Sequence, residues 1–165
     1  MPNVDSHHFR QLMGRFATGV TVITTHDHQK EMGVGITINS LTSVSLKPPL
    51  VLFCLEKKAH SFMAFKKEKY FAVNILAENQ ENLSRQFALP NQPPLPARSW
   101  AEPVKDCPIL NGTLGWMLCQ KMVAYPGGDH IIFVGKVLQI QISRKTSKPL
   151  IYFIGDYQKL DESRK

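Results

Sequence analysis

The residues best suited to do chemistry form one polar stretch between two apolar segments. The stretch contains Thr37, Asn39, Ser40, Thr42, Ser43 and Ser45. Hydroxyl and amide side chains of this kind can line a site for a planar ligand with several polar edges. Lys57, Lys58 and Ser61 follow the second apolar segment and could anchor a phosphate, which needs N–H and O–H donors and a cation. The same residue types also form strand ends and turns, so the residues alone leave a structural role open.

Other kinds of catalytic or binding site are not supported. Gly33-Val34-Gly35 resembles the start of a dinucleotide fingerprint, but Ile38 stands where the third glycine belongs and the glycines lie inside a predicted strand. His7-His8 and His26-Asp27-His28 have no third metal ligand at a suitable spacing. No Walker loop or nucleophile elbow occurs. We therefore predict no metal and no side chain that acts as acid, base or nucleophile.

Length and charge limit the class of protein. The chain has 165 residues with 43% hydrophobic and 20% charged residues, which fits a single folded domain over residues 1–165 and excludes a disordered chain. Its net charge of +7 favours anionic partners. The basic residues are scattered and no RNA-recognition or zinc-finger motif accompanies them, so nucleic acid is not the predicted partner.

Cysteine use and hydropathy predict a cytoplasmic location. Cys54, Cys107 and Cys119 are odd in number and lack C-x-x-C spacing, which excludes a disulfide scaffold and a four-cysteine zinc site. This pattern suits a reducing compartment. The polar N-terminal segment does not look like a signal peptide, and nowhere do about 18 apolar residues follow one another, so we expect no membrane span.

The elements that must position the polar stretch are mostly strands. A first helix is predicted, capped by Asp5 or Ser6, with an apolar stripe at Phe9, Leu12, Met13 and Phe16. Strands are predicted over 20–25, 33–39, 50–55, 70–76, 112–125, 131–142 and 150–154, helices over 59–67 and 79–88, and an irregular proline-rich loop over 89–103. Gly135 is expected to mark a bulge. Many strands and few helices predict a mostly β, closed or nearly closed antiparallel barrel.

Several blocks along the chain resemble one known family. They are Arg15-Phe16-Ala17-Thr18-Gly19, Thr37-Ile38-Asn39-Ser40, Pro48-Pro49-Leu50, Phe71-Ala72-Val73-Asn74, Gly128-Asp129-His130 and Pro149-Leu150-Ile151-Tyr152. In this order they resemble the flavin reductases that serve two-component flavin-dependent monooxygenases. The resemblance implies a Greek-key-like, FMN-binding split β-barrel, usually a homodimer with flavin near the subunit interface. It also implies an NAD(P)H:flavin oxidoreductase without a dinucleotide-binding domain.

The resemblance also implies roles for individual residues. Thr37, Asn39, Ser40, Cys54 and Leu55 would hold the isoalloxazine and ribityl groups of FMN or FAD, Lys58 and Ser61 the phosphate, and His130, Tyr152 and Phe16 the nicotinamide of NADH or NADPH. The chain departs from the family pattern at Ile38, Ala59 and Phe153-Ile154. A non-catalytic or electron-transfer flavin protein on the same barrel is the alternative. The choice of flavin, of nicotinamide and of partner oxygenase stays open.

Overall fold

The computed structural model describes residues 4–90, 95–145 and 147–160. In this part of the chain the helices are α1 (Ser6–Gly14), α2 (Phe62–Lys67) and α3 (Glu81–Ala88), with short 3-10 turns at Glu78–Gln80 and Ala97–Ser99. The strands are β1 (Thr18–Gly19), β2 (Thr21–Asp27), β3 (Met32–Ile38), β4 (Thr42–Leu46), β5 (Pro49–Glu56), β6 (Tyr70–Ile75), β7 (Trp100–Val104), β8 (Cys107–Leu110), β9 (Gly115–Gly127), β10 (His130–Ile142), β11 (Ile151–Phe153) and β12 (Asp156–Gln158).

Seven of these strands form one antiparallel sheet in the order β3-β2-β6-β9-β10-β5-β4. The sheet curls, because Ile38 near one edge and Phe53 near the other pack into the same core. Two smaller sheets, β1-β11-β12 and β7-β8, flank it. The prediction of a mostly β, antiparallel fold is confirmed. The edge strands of the large sheet are β3 and β4, and the part of β5 beyond its pairing with β4 faces the end of β3 across a gap.

Aromatic packing fills the centre of the large sheet. The ring of Phe53 is stacked on Phe133 at 5.2 Å and meets Phe71 edge-on at 5.2 Å. Gly135 lies beside this cluster, and the register shifts between Val134 and Gly135 because Met122 of β9 has no partner in β10. A bulge therefore occurs at this point of the ladder, as predicted, but the extra residue lies in β9 opposite Gly135 and is not Gly135 itself. The ring of Phe71 lies where a side chain at position 135 would start.

The two glycines of the Gly33-Val34-Gly35 segment in β3 allow neighbouring elements to pack closely against the strand. A Cβ atom at Gly35 would lie 2.7 Å from the ring of Phe87, and one at Gly33 would lie 2.6 Å from Pro108. Real Cβ atoms do not approach neighbours so closely, since interiors are close-packed. The two glycines therefore let α3 and β8 lie directly against β3, which fixes the wall of the site described below.

Five strands lie where the sequence did not predict them. β1 is a two-residue strand just before the predicted strand 20–25, β4 runs through the polar stretch, and β7 lies mostly inside the expected irregular loop 89–103. β8 follows that loop, and β12 follows the last predicted strand. Both β4 and β7 are edge strands with mostly exposed or half-buried residues, so they lack the apolar run of a buried strand. Pro103 is accommodated where the β7–β8 register is irregular. Residues 91–94 of that loop lie outside the described part of the chain.

Helix α1 forms as predicted, but its apolar stripe does not join the core. The Asp5 carboxylate accepts hydrogen bonds from the backbone N–H groups of His7 and His8, which caps the helix. Phe9 is 56% exposed and Leu12 is 66% exposed, and Phe16 beyond the helix is 69% exposed. The stripe is thus an uncovered apolar surface within the described chain. None of the described helices is long and apolar enough to cross a bilayer.

Candidate functional site

A cavity of about 460 Å³ lies in the gap between the ends of β3 and β5, and we call it the seam cavity. Its volume is within the range of small-molecule sites, about 300–1,000 Å³. The structure brings seven of the nine predicted site residues to its walls. These are Thr37, Asn39, Ser40, Cys54, Leu55, Lys58 and His130. They lie near the ends of β3 and β5 or, for His130, at the start of β10 opposite Glu56. The hydrogen bonds between Ser40 and Cys54 hold the end of β3 against β5.

Ser40 closes the gap between the two strands at the floor of this cavity. Its Oγ accepts a hydrogen bond from the backbone N–H of Cys54 at 3.0 Å and donates to the Cys54 carbonyl at 3.2 Å. One side chain thereby replaces a missing pair of ladder hydrogen bonds. The hydroxyl is occupied by this structural role, so Ser40 contributes shape and position to the site in this structure.

Thr37 and Asn39 differ in what their side chains can offer. The Thr37 hydroxyl donates to the carbonyl of Ser84 at 2.6 Å and ties β3 to α3. The Asn39 side chain is exposed at the rim and makes no hydrogen bond to any described residue. An amide has two donors and an acceptor, so Asn39 is available to the polar edge of a ligand.

The turn after β5 carries the positive charge of the site. Lys58 is exposed and lines the seam cavity. Its neighbour Lys57 has a different task, because its Nζ donates to the Gly128 carbonyl at 2.5 Å and its backbone N–H donates to the Asp129 carbonyl at 3.0 Å. These bonds hold the β9–β10 turn against the turn that carries Lys58, which places the lysine and His130 on one cavity.

His130 is oriented by its chain neighbour. It begins β10, opposite Glu56 of β5, and its Nδ1 lies 2.7 Å from the Asp129 carboxylate. The hydrogen bond and the charge of His130 hold the pKa of Asp129 below its usual range. Because a carboxylate only accepts, Nδ1 carries the proton and Nε2 is the nitrogen left to meet a ligand.

Two predicted residues lie outside the seam cavity. Ser61 precedes α2, is only 2% exposed, and lines a second, larger cavity. Tyr152 of β11 lines a small cavity of about 210 Å³, which shares Thr37 and Asn39 with the seam cavity. His130 and Tyr152, which the resemblance assigns to one nicotinamide pocket, therefore lie on different cavities of this chain. Phe16 lines none of these three cavities.

The sequence did not single out Glu56, His60 or Ala88, yet all three line the seam cavity. Glu56 and His60 bracket Lys58 in the chain, which is a signal that could have included them. Ala88 ends α3, and only the packing of that helix on β3 brings it to the site.

The cysteine thiols are not reactive groups. Burial raises the pKa of Cys107 and of Cys119 to about 12, and burial also raises the pKa of Cys54. Thiols in this state stay protonated at neutral pH and are poor nucleophiles. No cluster of three or more potential metal-ligating side chains occurs among residues 4–90, 95–145 and 147–160. The Cys54 thiol, which lines the seam cavity, is therefore a poor nucleophile at neutral pH.

Comparison with known proteins identifies the family of this chain. The family model described as "Flavin reductase like domain" matches residues 13–161. The chain belongs to the flavin reductase-like domain family. The resemblance seen in the sequence motifs and the predicted class of enzyme, a flavin reductase, are both confirmed.

Relatives cover the chain almost from end to end. The reductase subunit HsaB of a flavin-dependent monooxygenase from Rhodococcus jostii is 34% identical over 98% of this chain and 81% of its own length. An NADH-dependent flavin reductase from a Rhodococcus species is 35% identical over 97% of this chain and 89% of its own length. The NADH:FAD oxidoreductase SgcE6 of Streptomyces globisporus, solved with NAD and FAD fragments, superposes with a TM-score of 0.89 at 30% identity and covers 100% of both chains.

The residues of the seam cavity fit a flavin. Ile36, Ile38 and Leu55 offer an apolar surface for a flat ring, Asn39 offers hydrogen bonds at the rim, and Lys58 offers a cation for a phosphate. The glycines of β3 have a packing role and do not form a dinucleotide fingerprint in this chain.

Proposed function

We propose that this chain is an NAD(P)H:flavin oxidoreductase that transfers a hydride to FMN or FAD and supplies reduced flavin to a partner monooxygenase. The observation that carries the proposal is the seam cavity, where an apolar surface, an unoccupied amide and an exposed lysine meet in one gap of the barrel. The relatives named as monooxygenase reductase subunits and as NADH-dependent support both the partner class and NADH as the donor.

The protein's own residues bind and orient rather than react. When bound, flavin supplies the hydride-accepting ring. Asn39 would hold the polar edge of that ring, Lys58 its phosphate, and His130 would direct Nε2 toward the nicotinamide, held by Asp129. Ser61 remains proposed as a phosphate donor, since its Oγ has no hydrogen-bond partner among the described residues.

The openness of the site favours an exchanging flavin. Asn39 and Lys58 are exposed at the rim, so a ligand held by them keeps contact with solvent. The Thr37 and Ser40 hydroxyls already bond the protein's own carbonyls and do not add to its affinity. A reductase that releases reduced flavin to another enzyme needs only a modest affinity for flavin.

We also propose that the chain works as a homodimer. The apolar stripe of α1 is uncovered in one chain, and hydrophobic residues on the long β9 and β10 strands, such as Met122 and Ile140, are more than half exposed. Burying such surface is the main driving force for association. In a dimer, Tyr152 of one subunit could lie beside His130 of the other, although the two residues line different cavities of one chain. A sedimentation mass of one 18.7 kDa chain would contradict the dimer.

The remaining proposals concern organisation and location. We infer a single domain over residues 1–165, acting in the cytoplasm on small molecules without nucleic acid or membrane. The three free cysteines support a reducing compartment, because two of them are buried thiols with no disulfide. Recovery of the protein from an oxidising compartment would contradict the location.

The decisive experiment mixes the purified protein with FMN under nitrogen and then adds NADH. We expect the absorbance of oxidised flavin to be lost rapidly, and in air we expect NADH oxidation to depend on added flavin. The Kd for FMN should be about tenfold lower than the Kd for riboflavin, because riboflavin lacks the phosphate that Lys58 would contact. NADH oxidation that is no faster with FMN or FAD would overturn the proposed function.

Lys58→Met tests the proposed phosphate site, and Lys66→Met is its matched control. Both remove one exposed lysine charge, but the Lys66 side chain lies on α2 and does not line the seam cavity. Lys58→Met should abolish the preference for FMN over riboflavin, whereas Lys66→Met should keep it. Equal loss in both variants would mean that general charge, and not a phosphate site, attracts the flavin.

A further inference from the structure

We propose that Tyr157 is a positioning residue of the flavin site, because its hydroxyl fixes α3 against the end of β3 that carries Thr37 and Asn39. This inference rests on the proposed function and names a residue that acts on the site through its neighbours. Tyr157 lies in β12, and its side chain is half-buried. It lines the small cavity of about 210 Å³ that shares Thr37 and Asn39 with the seam cavity.

Ser84 of α3 is the residue through which Tyr157 reaches β3. Ser84 is fully buried, and its hydroxyl shares a hydrogen bond of 2.7 Å with the hydroxyl of Tyr157. The carbonyl of the same residue accepts the hydrogen bond from the Thr37 hydroxyl at 2.6 Å. A single residue of α3 is therefore bound both to β12 and to β3.

The hydrogen bond between Ser84 and Tyr157 depends on the tertiary fold. A serine inside a helix can satisfy its hydroxyl locally, by donating to the carbonyl four residues earlier. Here the hydroxyl bonds instead to a residue 73 positions further along the chain. Because a buried hydroxyl that loses its partner costs free energy, the position of α3 that keeps this bond is favoured over small displacements of the helix.

The packing of the Tyr157 ring sets the direction of its hydroxyl. The Arg85 guanidinium lies 4.9 Å from the ring centroid, which is within the range of a cation–π contact. Arg85 is itself held by Glu81, since its Nε lies 2.9 Å from a carboxylate oxygen of that residue. The ring of Tyr152 meets the ring of Tyr157 edge-on, with 5.5 Å between the centroids. These contacts hold the ring in the orientation in which its hydroxyl meets Ser84.

Helix α3 forms part of the wall that a flavin would contact. Ala88 follows Ser84 by four residues, which places both on one face of the helix, and Ala88 lines the seam cavity. Asn39, which would hold the polar edge of the flavin ring, lies two residues beyond Thr37. A ligand held by few polar contacts is sensitive to displacements of about 1 Å in those residues. Loosening α3 at Ser84 should therefore weaken flavin binding although no group that contacts the flavin is removed.

The test removes one oxygen atom from the protein. Tyr157→Phe keeps the ring and its contacts with Arg85 and Tyr152, so the fold should be retained. We expect the Kd for FMN, measured by calorimetry, to rise about fivefold, while the rate at which saturating NADH reduces bound flavin stays within about twofold. The matched control is Tyr70→Phe, because Tyr70 is half-buried in β6 and lines neither the seam cavity nor the small cavity. Its Kd for FMN should equal that of the wild-type protein.

A double-mutant cycle separates positioning through Ser84 from a general loss of stability. Ser84→Ala should raise the Kd for FMN by about the same factor as Tyr157→Phe, and the double variant should bind FMN no more weakly than either single variant. The visible circular dichroism of FMN at saturation reports the orientation of the flavin ring in its site. This signal should change alike in the three variants and stay unchanged in Tyr70→Phe.

Each outcome decides the inference. Equal and non-additive weakening by Ser84→Ala and Tyr157→Phe supports it. A lower free energy of unfolding with an unchanged Kd for FMN overturns it, because Tyr157 would then be structural only, and additive effects of the two substitutions also overturn it. If FMN binds more weakly to the variants but NADH does not reduce it even on the wild-type protein, the positioning role stands and the proposed function fails. Flavin-dependent NADH oxidation by the wild-type protein, with an unchanged Kd for FMN in the variants, has the opposite meaning.

Discussion

Replacing His130 with alanine should lower kcat/KM for NADH by about 100-fold while the Kd for FMN changes by about twofold or less. The expectation follows from geometry, because the Asp129 carboxylate 2.7 Å from Nδ1 fixes the ring and leaves Nε2 to meet the nicotinamide. Loss of an orienting contact misplaces the donor carbon and affects transfer more than flavin binding. Stopped-flow reduction of bound flavin by NADH, beside a flavin titration, measures both quantities.

His28→Ala is the matched control for this variant. His28 also pairs with a carboxylate, since its Nδ1 lies 2.8 Å from Glu68, but it lines neither the seam cavity nor the larger cavity that Ser61 lines. Its turnover should equal that of the wild-type protein. If His130→Ala reduces flavin at the wild-type rate, His130 is not a nicotinamide contact. If the wild-type protein binds flavin tightly and reacts poorly with NADH, the electron-transfer alternative is favoured.

The central strands could be predicted because their residue types indicate a buried strand. β2 is β-branched almost throughout and β5 is a continuous apolar run, and both lie in the interior of the sheet order. β4 could not be predicted in this way, because an edge strand with exposed polar residues looks like a loop. Its pairing depends on β5, which is a tertiary partner that local patterns do not contain.

The same distinction explains the site. Thr37, Asn39 and Lys58 were predictable because polar residues at or just beyond the ends of two apolar strands stand out in the sequence. The structural bond of Ser40 to Cys54 was not, since it exists only where the barrel leaves a gap between β3 and β5. The placement of Ser61 in a second cavity likewise depends on how α2 begins, which no motif specifies.

Replacing Gly135 with alanine should lower the free energy of unfolding by at least about 2 kcal/mol. The new Cβ would overlap the end of the Phe71 ring and lie 2.8 Å from its Cε1 and 3.1 Å from the Cβ of Cys119. The Phe71 ring cannot move away freely, because it packs edge-on against Phe53, which is fully buried. Urea denaturation followed by circular dichroism measures the change, with the m-value checked for a constant transition.

Gly19→Ala is the control, because a Cβ atom there meets nothing within 4 Å and its expected effect is about 0.5 kcal/mol or less. A double-mutant cycle with Phe71→Leu locates the cause, since a smaller side chain at position 71 should recover part of the loss from Gly135→Ala. Additive effects would place the strain in the backbone of the bulge instead. Flavin affinity of the folded fraction should stay unchanged, because Gly135 lies in the middle of β10 and does not line the seam cavity, to which β10 contributes His130.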